Sequence, residues 1–223
     1  MTGVTLDELA LRYNTDKASD RHGYTQHYER LFSPWRDRKI TLLEIGVLEG
    51  GSLRMWRDYF PNGAVYGIDC EPRCEQCAGD RITVCIGSQK DVPFLQGVTD
   101  KHGPFDIIID DGSHHGEDQK VSFETLYPSV KPGGVYIVED LHASFWGDWG
   151  DFRPTLNSRI EKTLYPGGYG FHHGHGDVRN HPNWEQIRPH MDYFALATRA
   201  IIIYSSLVVF EKWGEESGWT RYL

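Results

Sequence analysis

Two acidic runs follow directly on apolar stretches of this 223-residue chain. Phe105–Asp110 (FDIIID) runs into Asp111-Gly112-Ser113-His114-His115, and Val135–Glu139 leads into Asp140-Leu141-His142. Carboxylates gathered in one cleft repel each other unless they are protonated or bind a cation. Oxygen ligands from Asp111, Glu139 and Asp140 suit a hard divalent ion, Mg2+ first, with positions left open for water or a ligand. His114 stands at the lip of the same group, where a neutral imidazole can take a proton near neutral pH. An ion there would acidify a hydroxyl group, and His114 would serve as its base. The simpler alternative, a plain turn at Asp110–Ser113 with Asp118 as a helix cap, leaves Glu139 and Asp140 unexplained. His115 reads as structural or solvent-facing.

A second group lies earlier. Glu44-Ile-Gly46 and Gly50-Gly51-Ser52 form a glycine-rich turn after an apolar strand. The spacing, E-x-G-x-x-x-G-G, is not the G-x-G-x-x-G that sets a helix N-terminus on a pyrophosphate. Glu44 would repel a diphosphate and welcome a cationic ligand carrying an ammonium or sulfonium group. Asp69 ends the next strand, where an acid can accept both hydrogen bonds of a ribose diol. After the third strand, Ser88 and Gln89 can bond an adenine edge, and Asp91 can cap the following helix.

These residues need a frame that brings strand ends together. Apolar runs at Ile40–Gly46, Ala64–Asp69, Ile82–Ile86, Phe105–Asp110 and Val135–Glu139 read as strands. Helical stretches at Ser52–Phe60, Val92–Thr99 and Asp118–Tyr127 separate them, and Lys131–Gly134 reads as a turn. Strands apolar on both faces, alternating with helices, indicate a doubly wound, mostly parallel sheet. Ligands bind such a sheet beyond the carboxyl ends of its strands, where the residues above fall. The chain opens with an amphipathic helix (Leu6, Leu9, Ala10, Tyr13), and Asn14–Phe32 is polar, aromatic and turn-rich. Ala200–Tyr204 and Leu207–Lys212, joined by Ser205-Ser206, read as a closing antiparallel hairpin.

Residues 143–190 are rich in Gly, Trp and His and suggest a lid or substrate-facing insertion. The cluster His172, His173, His175 and His181 reads as part of a polar lid, with a transition-metal site as the alternative. Trp146, Trp149, Phe152, Tyr165, Tyr169 and Trp184 suit stacking on a ligand face, or equally a satellite core. Cys70, Cys74, Cys77 and Cys85 are expected as reduced thiols rather than zinc ligands.

Composition narrows the function classes. With 23 Lys+Arg against 32 Asp+Glu, the chain has a net charge of -9 and no basic stripe to neutralise phosphates, which excludes nucleic acid as an expected partner. The N-terminus lacks the basic and apolar regions of a signal peptide, and the longest apolar runs are far short of a span. No membrane association and a cytoplasmic location are expected.

Taken together, Thr15-Asp16-Lys17 with His22, Tyr24, His27 and Tyr28, then Glu44-Ile-Gly46, Gly87-Ser88-Gln89, Asp110–His114 and Glu139–His142, resemble the metal-dependent sugar O-methyltransferases of natural-product biosynthesis. The resemblance covers roughly residues 11–142 and the closing hairpin. It implies a seven-stranded, Rossmann-like class I methyltransferase fold binding S-adenosyl-L-methionine and Mg2+. It implies cofactor contacts at Thr15, Tyr24, Glu44, Gly46, Ser52, Asp69, Ser88, Gln89 and Asp111. Metal ligation falls to Asp111, Glu139 and Asp140, and the base to His114. The acceptor it implies is a hydroxyl of a glycoside or an activated sugar, and a homo-oligomer is expected. A single domain over 1–223 is expected, with residues 1–35 as a helical cap. A phenolic or other non-sugar hydroxyl, and a non-catalytic adenosyl-ligand-binding protein, are the alternatives. The hairpin departs from the family pattern: AIIIYSS stands where a histidine and an aspartate are expected.

Overall fold

In a computed structural model, residues 3–164, 186 and 192–215 are described. Seven strands form one sheet: β1 (Thr41–Ile45), β2 (Ala64–Asp69), β3 (Ile82–Ile86), β4 (Phe105–Asp110), β5 (Val130–Val138), β6 (Thr198–Tyr204) and β7 (Leu207–Lys212). Their order is β3-β2-β1-β4-β5-β7-β6. β1 to β5 pair in parallel, and β7 lies antiparallel between β5 and β6. The order reverses between β1 and β4, with Ile45 opposite Asp110, so a crevice opens beyond those two strand ends. This is the doubly wound architecture with a closing hairpin that the apolar runs predict.

Alternating side chains send each strand into two cores. Leu42, Ile107 and Ile109 pack with Tyr28, Phe32 and Trp56 on one face. Leu43, Ile108 and Tyr136 pack with Phe123, Phe152 and Phe210 on the other. The first face is covered by α1 (Leu6–Arg12), α2 (Thr25–Phe32) and α3 (Gly51–Tyr59); α4 (Val92–His102), α5 (Gly116–Leu126), α6 (Arg153–Leu164) and α7 (Tyr193–Ala197) belong to the rest of the fold. Thr5 and Glu8 form a capping box at the start of α1. Asp91 caps α4 as expected, accepting from the Phe94 N–H at 3.1 Å.

Three expectations change. The stretch read as turn-rich contains α2, whose aromatic residues Tyr28 and Phe32 are buried. Lys131–Gly134 lies inside β5, where the pairing with β4 shifts register between Phe105 and Ile107, so the glycines make an irregular strand rather than a separate turn. Phe152 is fully buried in the second core and is no stacking platform. Cys74 and Cys77 pack on one face of the sheet and Cys85 on the other, which keeps four sulfurs from converging. The histidines at 172–181 and the aromatics at 165, 169 and 184 lie outside the described residues.

Candidate active site

The glycine turn after β1 is fixed by its neighbours. Gly46 has φ +94°, and a Cβ there would collide with the Asp111 carbonyl oxygen, so only glycine lets the β1 and β4 turns touch. The Asp111 N–H donates to the Ile45 carbonyl at 3.0 Å across the same joint. Asp69 closes the turn from the β2 side, accepting from the N–H groups of Val47 (2.9 Å), Leu48 (3.1 Å) and Glu71 (2.9 Å). Burial pushes its pKa up, but these backbone donors outweigh it and hold the carboxyl below its ordinary value.

A cleft of about 980 Å3 opens on these strand ends. Its lining includes Thr15, Gly46, Ser52, Asp69, Ser88, Gln89, Asp111 and His114. The volume suits a nucleoside-sized ligand. Gln89 spends both ends of its amide on the protein: Nε2 donates to Asp110 Oδ1 (3.2 Å) and Oε1 accepts from the Ser113 N–H (2.7 Å). It therefore braces the Asp-Gly-Ser-His turn. Asp110 is fully buried among Gln89, Ser122 and Tyr136, and burial pushes its pKa up to about 6.

Glu44, Tyr24, Glu139 and Asp140 are not part of that lining and sit deeper. Glu44 is completely buried; it accepts from Ser52 Oγ at 2.7 Å and Trp56 Nε1 at 3.3 Å. The cation it faces is one of the chain's own, Lys17, whose Nζ lies 3.4 Å away. The same ammonium donates to Asp111 Oδ2 and, at 2.9 Å, to Glu139 Oε2. The other oxygen of Glu139 accepts from the Tyr28 hydroxyl. Burial would lower the pKa of Lys17, but Asp111, Glu139 and Glu44 together hold it well above its ordinary value. Burial raises Glu139 and Asp111 in turn, with mutual repulsion adding to the rise at Glu139.

Asp140 stands apart from this group. In the left-handed region at φ +55°, it accepts from the Tyr24 hydroxyl at 2.6 Å. Its carboxylate lies 3.5 Å from His114 Nε2 and 3.8 Å from His142 Nδ1. His114, also left-handed at φ +57°, has its Nδ1 buried with no partner among the described residues. The three acids expected to converge thus meet through Asp111, which belongs to two groupings that can hold a metal ion: Glu44–Asp111–Glu139 and Asp111–His114–Asp140. An oxygen-rich donor set with one unpartnered imidazole nitrogen fits a hard divalent ion.

Four contributors carry contacts that the sequence reading did not assign, although Lys17 and Tyr28 stand within its family-matching motifs. Lys17 and Tyr28 reach the acids from the N-terminal segment, Gln119 Nε2 donates to the Glu139 carbonyl at 3.2 Å, and Ser206 Oγ lies 2.5 Å from His142 Nδ1. One signal was present: so many acids at strand ends call for a cation of the chain's own. His115 stacks on Trp149, with ring centroids 5.0 Å apart, and not on the acids.

The strand order and the closing antiparallel hairpin are those of the class I methyltransferase fold. A family model described as "Methyltransferase domain" matches residues 43–141. Within that class the chain is a relative of sugar O-methyltransferases from macrolide and tetracenomycin pathways. It is 42% identical over 152 residues to demethylmacrocin O-methyltransferase of Streptomyces fradiae, covering 65% of this chain and 38% of that one. It is 35% identical over 221 residues to 8-demethyl-8-(2-methoxy-alpha-L-rhamnosyl)-tetracenomycin-C 3'-O-methyltransferase of Streptomyces olivaceus, covering 96% and 55%. Among solved structures, the MycE methyltransferase from the mycinamycin biosynthetic pathway, in complex with Mg, SAH and mycinamycin VI, matches with a TM-score of 0.78 at 32% identity. That match covers 97% of this chain and 57% of that one. The chain spans about half or less of the length of these relatives.

Proposed function

We propose that this chain is an O-methyltransferase that uses S-adenosyl-L-methionine and Mg2+ to methylate a sugar hydroxyl of a glycosylated natural product. One observation carries the reading: Asp111, Glu139, Asp140 and a His114 imidazole with one unpartnered nitrogen stand beside a nucleoside-sized cleft at the switch point of the sheet. The sugar acceptor is supported by the names of the relatives, each a methyltransferase of a glycosylated compound or its pathway. When bound, the cofactor would supply the methyl group and the ion would acidify the acceptor hydroxyl.

The chain's own residues do the rest. Asp69 and the turn at Gly46 hold the adenosyl moiety, with Ser52, Ser88, Gln89 and Thr15 along the cleft. Asp111, Glu139 and Asp140 hold the ion. Tyr24 keeps Asp140 oriented through its 2.6 Å hydrogen bond. His114 takes the hydroxyl proton, so the acceptor oxygen loses a proton as it gains a methyl group, and the sulfur keeps the electron pair of the broken C–S bond.

Residues 1–35 act as a cap on a single domain; of the acceptor-facing insertion expected at 143–190, residues 165–185 and 187–190 lie outside the described residues. A cytoplasmic homo-oligomer completes the reading; among the described residues no helix is long and apolar enough to cross a membrane. Light scattering that gave a mass near 25.6 kDa would remove the oligomer. The decisive experiment incubates the protein with methyl-labelled cofactor, Mg2+ and a panel of deoxysugar glycosides, phenols and a buffer blank. Label transferred to a glycoside, and abolished by EDTA, is expected. Transfer to phenols alone would replace the sugar reading, and absence of S-adenosylhomocysteine binding would end the enzyme reading.

A further inference from the structure

The acids at the strand ends hold a cation that the chain itself provides. Lys17 lies between α1 and α2, with the Thr25 N–H donating to its carbonyl at 3.1 Å. Its side chain is fully buried, and Nζ meets Glu139 Oε2 at 2.9 Å, Glu44 Oε1 at 3.4 Å and Asp111 Oδ2. Oxygens of those same three carboxylates lie within 4.8 Å of one another, close enough to share one ion. Asp111 also belongs to the outer grouping with His114 and Asp140. The site therefore has two cation positions joined at Asp111, and an ammonium group stands in the inner one.

We propose that Lys17 is a resident cation that fills the inner carboxylate group and so restricts the site to a single divalent ion, held by Asp111 and Asp140 together with the Glu139 carboxylate that the ion shares with Lys17. Glu44, Asp111, Glu139 and Asp140 are four formal negatives; Lys17 offsets one of them, and one divalent ion offsets two of the three that remain. A buried acid group stripped of its only cation is strongly destabilised, so Lys17 also keeps the site assembled before metal arrives. Lys17 is a positioning residue: it touches the acids, not the reacting atoms. The inference rests on the divalent-ion reading of Asp111, Glu139 and Asp140.

The test has two arms. In EDTA, thermal unfolding is compared for the unsubstituted protein, Lys17→Met, Glu44→Gln and the double variant. Lys17→Met should lower Tm by roughly 10 °C. Removing one acid as well should recover at least half of that loss, which a packing role for Lys17 would not allow. In the second arm, bound Mn2+ is counted by electron paramagnetic resonance, and Lys17→Met should take up one ion per chain more than the unsubstituted protein. A double variant no more stable than Lys17→Met, or a Lys17→Met protein with no additional ion, overturns the proposal. If Lys17→Met does not fold in EDTA, a folded double variant supports the proposal and an unfolded one overturns it. Should the unsubstituted protein bind no Mn2+ while Lys17→Met binds one, the resident cation stands and the metal reading of the outer acids fails.

Discussion

Among the described residues two lysines are buried, Lys17 and Lys212, and they lie at opposite ends of the sheet. Lys17 sits beyond the carboxyl ends of the parallel strands with three carboxylates around it. Lys212 ends the antiparallel β7, beside the amino ends of the parallel strands. Its Nζ donates to the carbonyls of Pro128 (3.1 Å) and Val130 (2.6 Å) and to the Tyr193 hydroxyl (2.8 Å). The same desolvation acts on both, with opposite outcomes. Acids overcome it at Lys17, whereas at Lys212 burial lowers the pKa to about 7. The difference separates two uses of a buried amine. One end of the sheet carries excess negative charge that only cations make tolerable; the other uses a weakly charged amine as a clamp on backbone oxygens.

Substitutions at the two ends should therefore fail in different ways. The largest effect is expected at the acidic end. His114→Ala should lower methyl transfer by about 10²–10⁴-fold with S-adenosylhomocysteine affinity kept within a few-fold, as calorimetry would measure; unchanged turnover would remove His114 as base. Next is Gly46→Ala, which forces a Cβ onto the Asp111 carbonyl at a positive φ and should cost about 2–4 kcal/mol in denaturant unfolding, with cofactor binding lost.

At the clamp end the signature is pH. With the folded Lys212 at about 7 against an ordinary 10.5, the unfolded chain binds more protons between those values. Its contribution to stability is poorest below pH 7 and improves as pH rises toward 10.5. The difference in unfolding free energy between the unsubstituted protein and Lys212→Met should shift by about 3.5 kcal/mol from pH 7 to pH 10. A flat difference would show that Lys212 stays charged. The smallest effect is on turnover: Lys212→Met, assayed at 25 °C, should remain within about twofold. A larger loss would mean that the two ends are not separate.

Much of the frame was legible because burial on both faces leaves continuous apolar runs. β2, β3, β4 and β7 fall at the expected residues, and β1 differs by one residue at each end. Asp111, Glu139 and Asp140 could be picked out because a strand end is a place that topology makes special. The N-terminal segment was less legible. α2 is short, and its aromatics read as loop until they are seen to bury Tyr28 against Glu139, across a separation of 111 residues. Lys17 reaches Asp111 across 94 residues, a contact no local pattern encodes. Gln89 was recognisable as a site residue but not as a brace, since its partners Asp110 and Ser113 come from another strand's turn.

The joint between Gly46 and Asp111 has a consequence for timing. One turn faces the cleft, the other carries a carboxylate, and they meet backbone to backbone with no side chain between to absorb movement. A shift on one side is transmitted to the other almost undiminished, since packed interiors yield little. Occupants on the two sides of the joint should therefore sense each other, and thermodynamic reciprocity makes the influence equal in both directions. The absence of a methyl group at one position would thus couple a cofactor in the cleft to an ion at Asp111, and isothermal titration of each in the presence of the other measures that coupling.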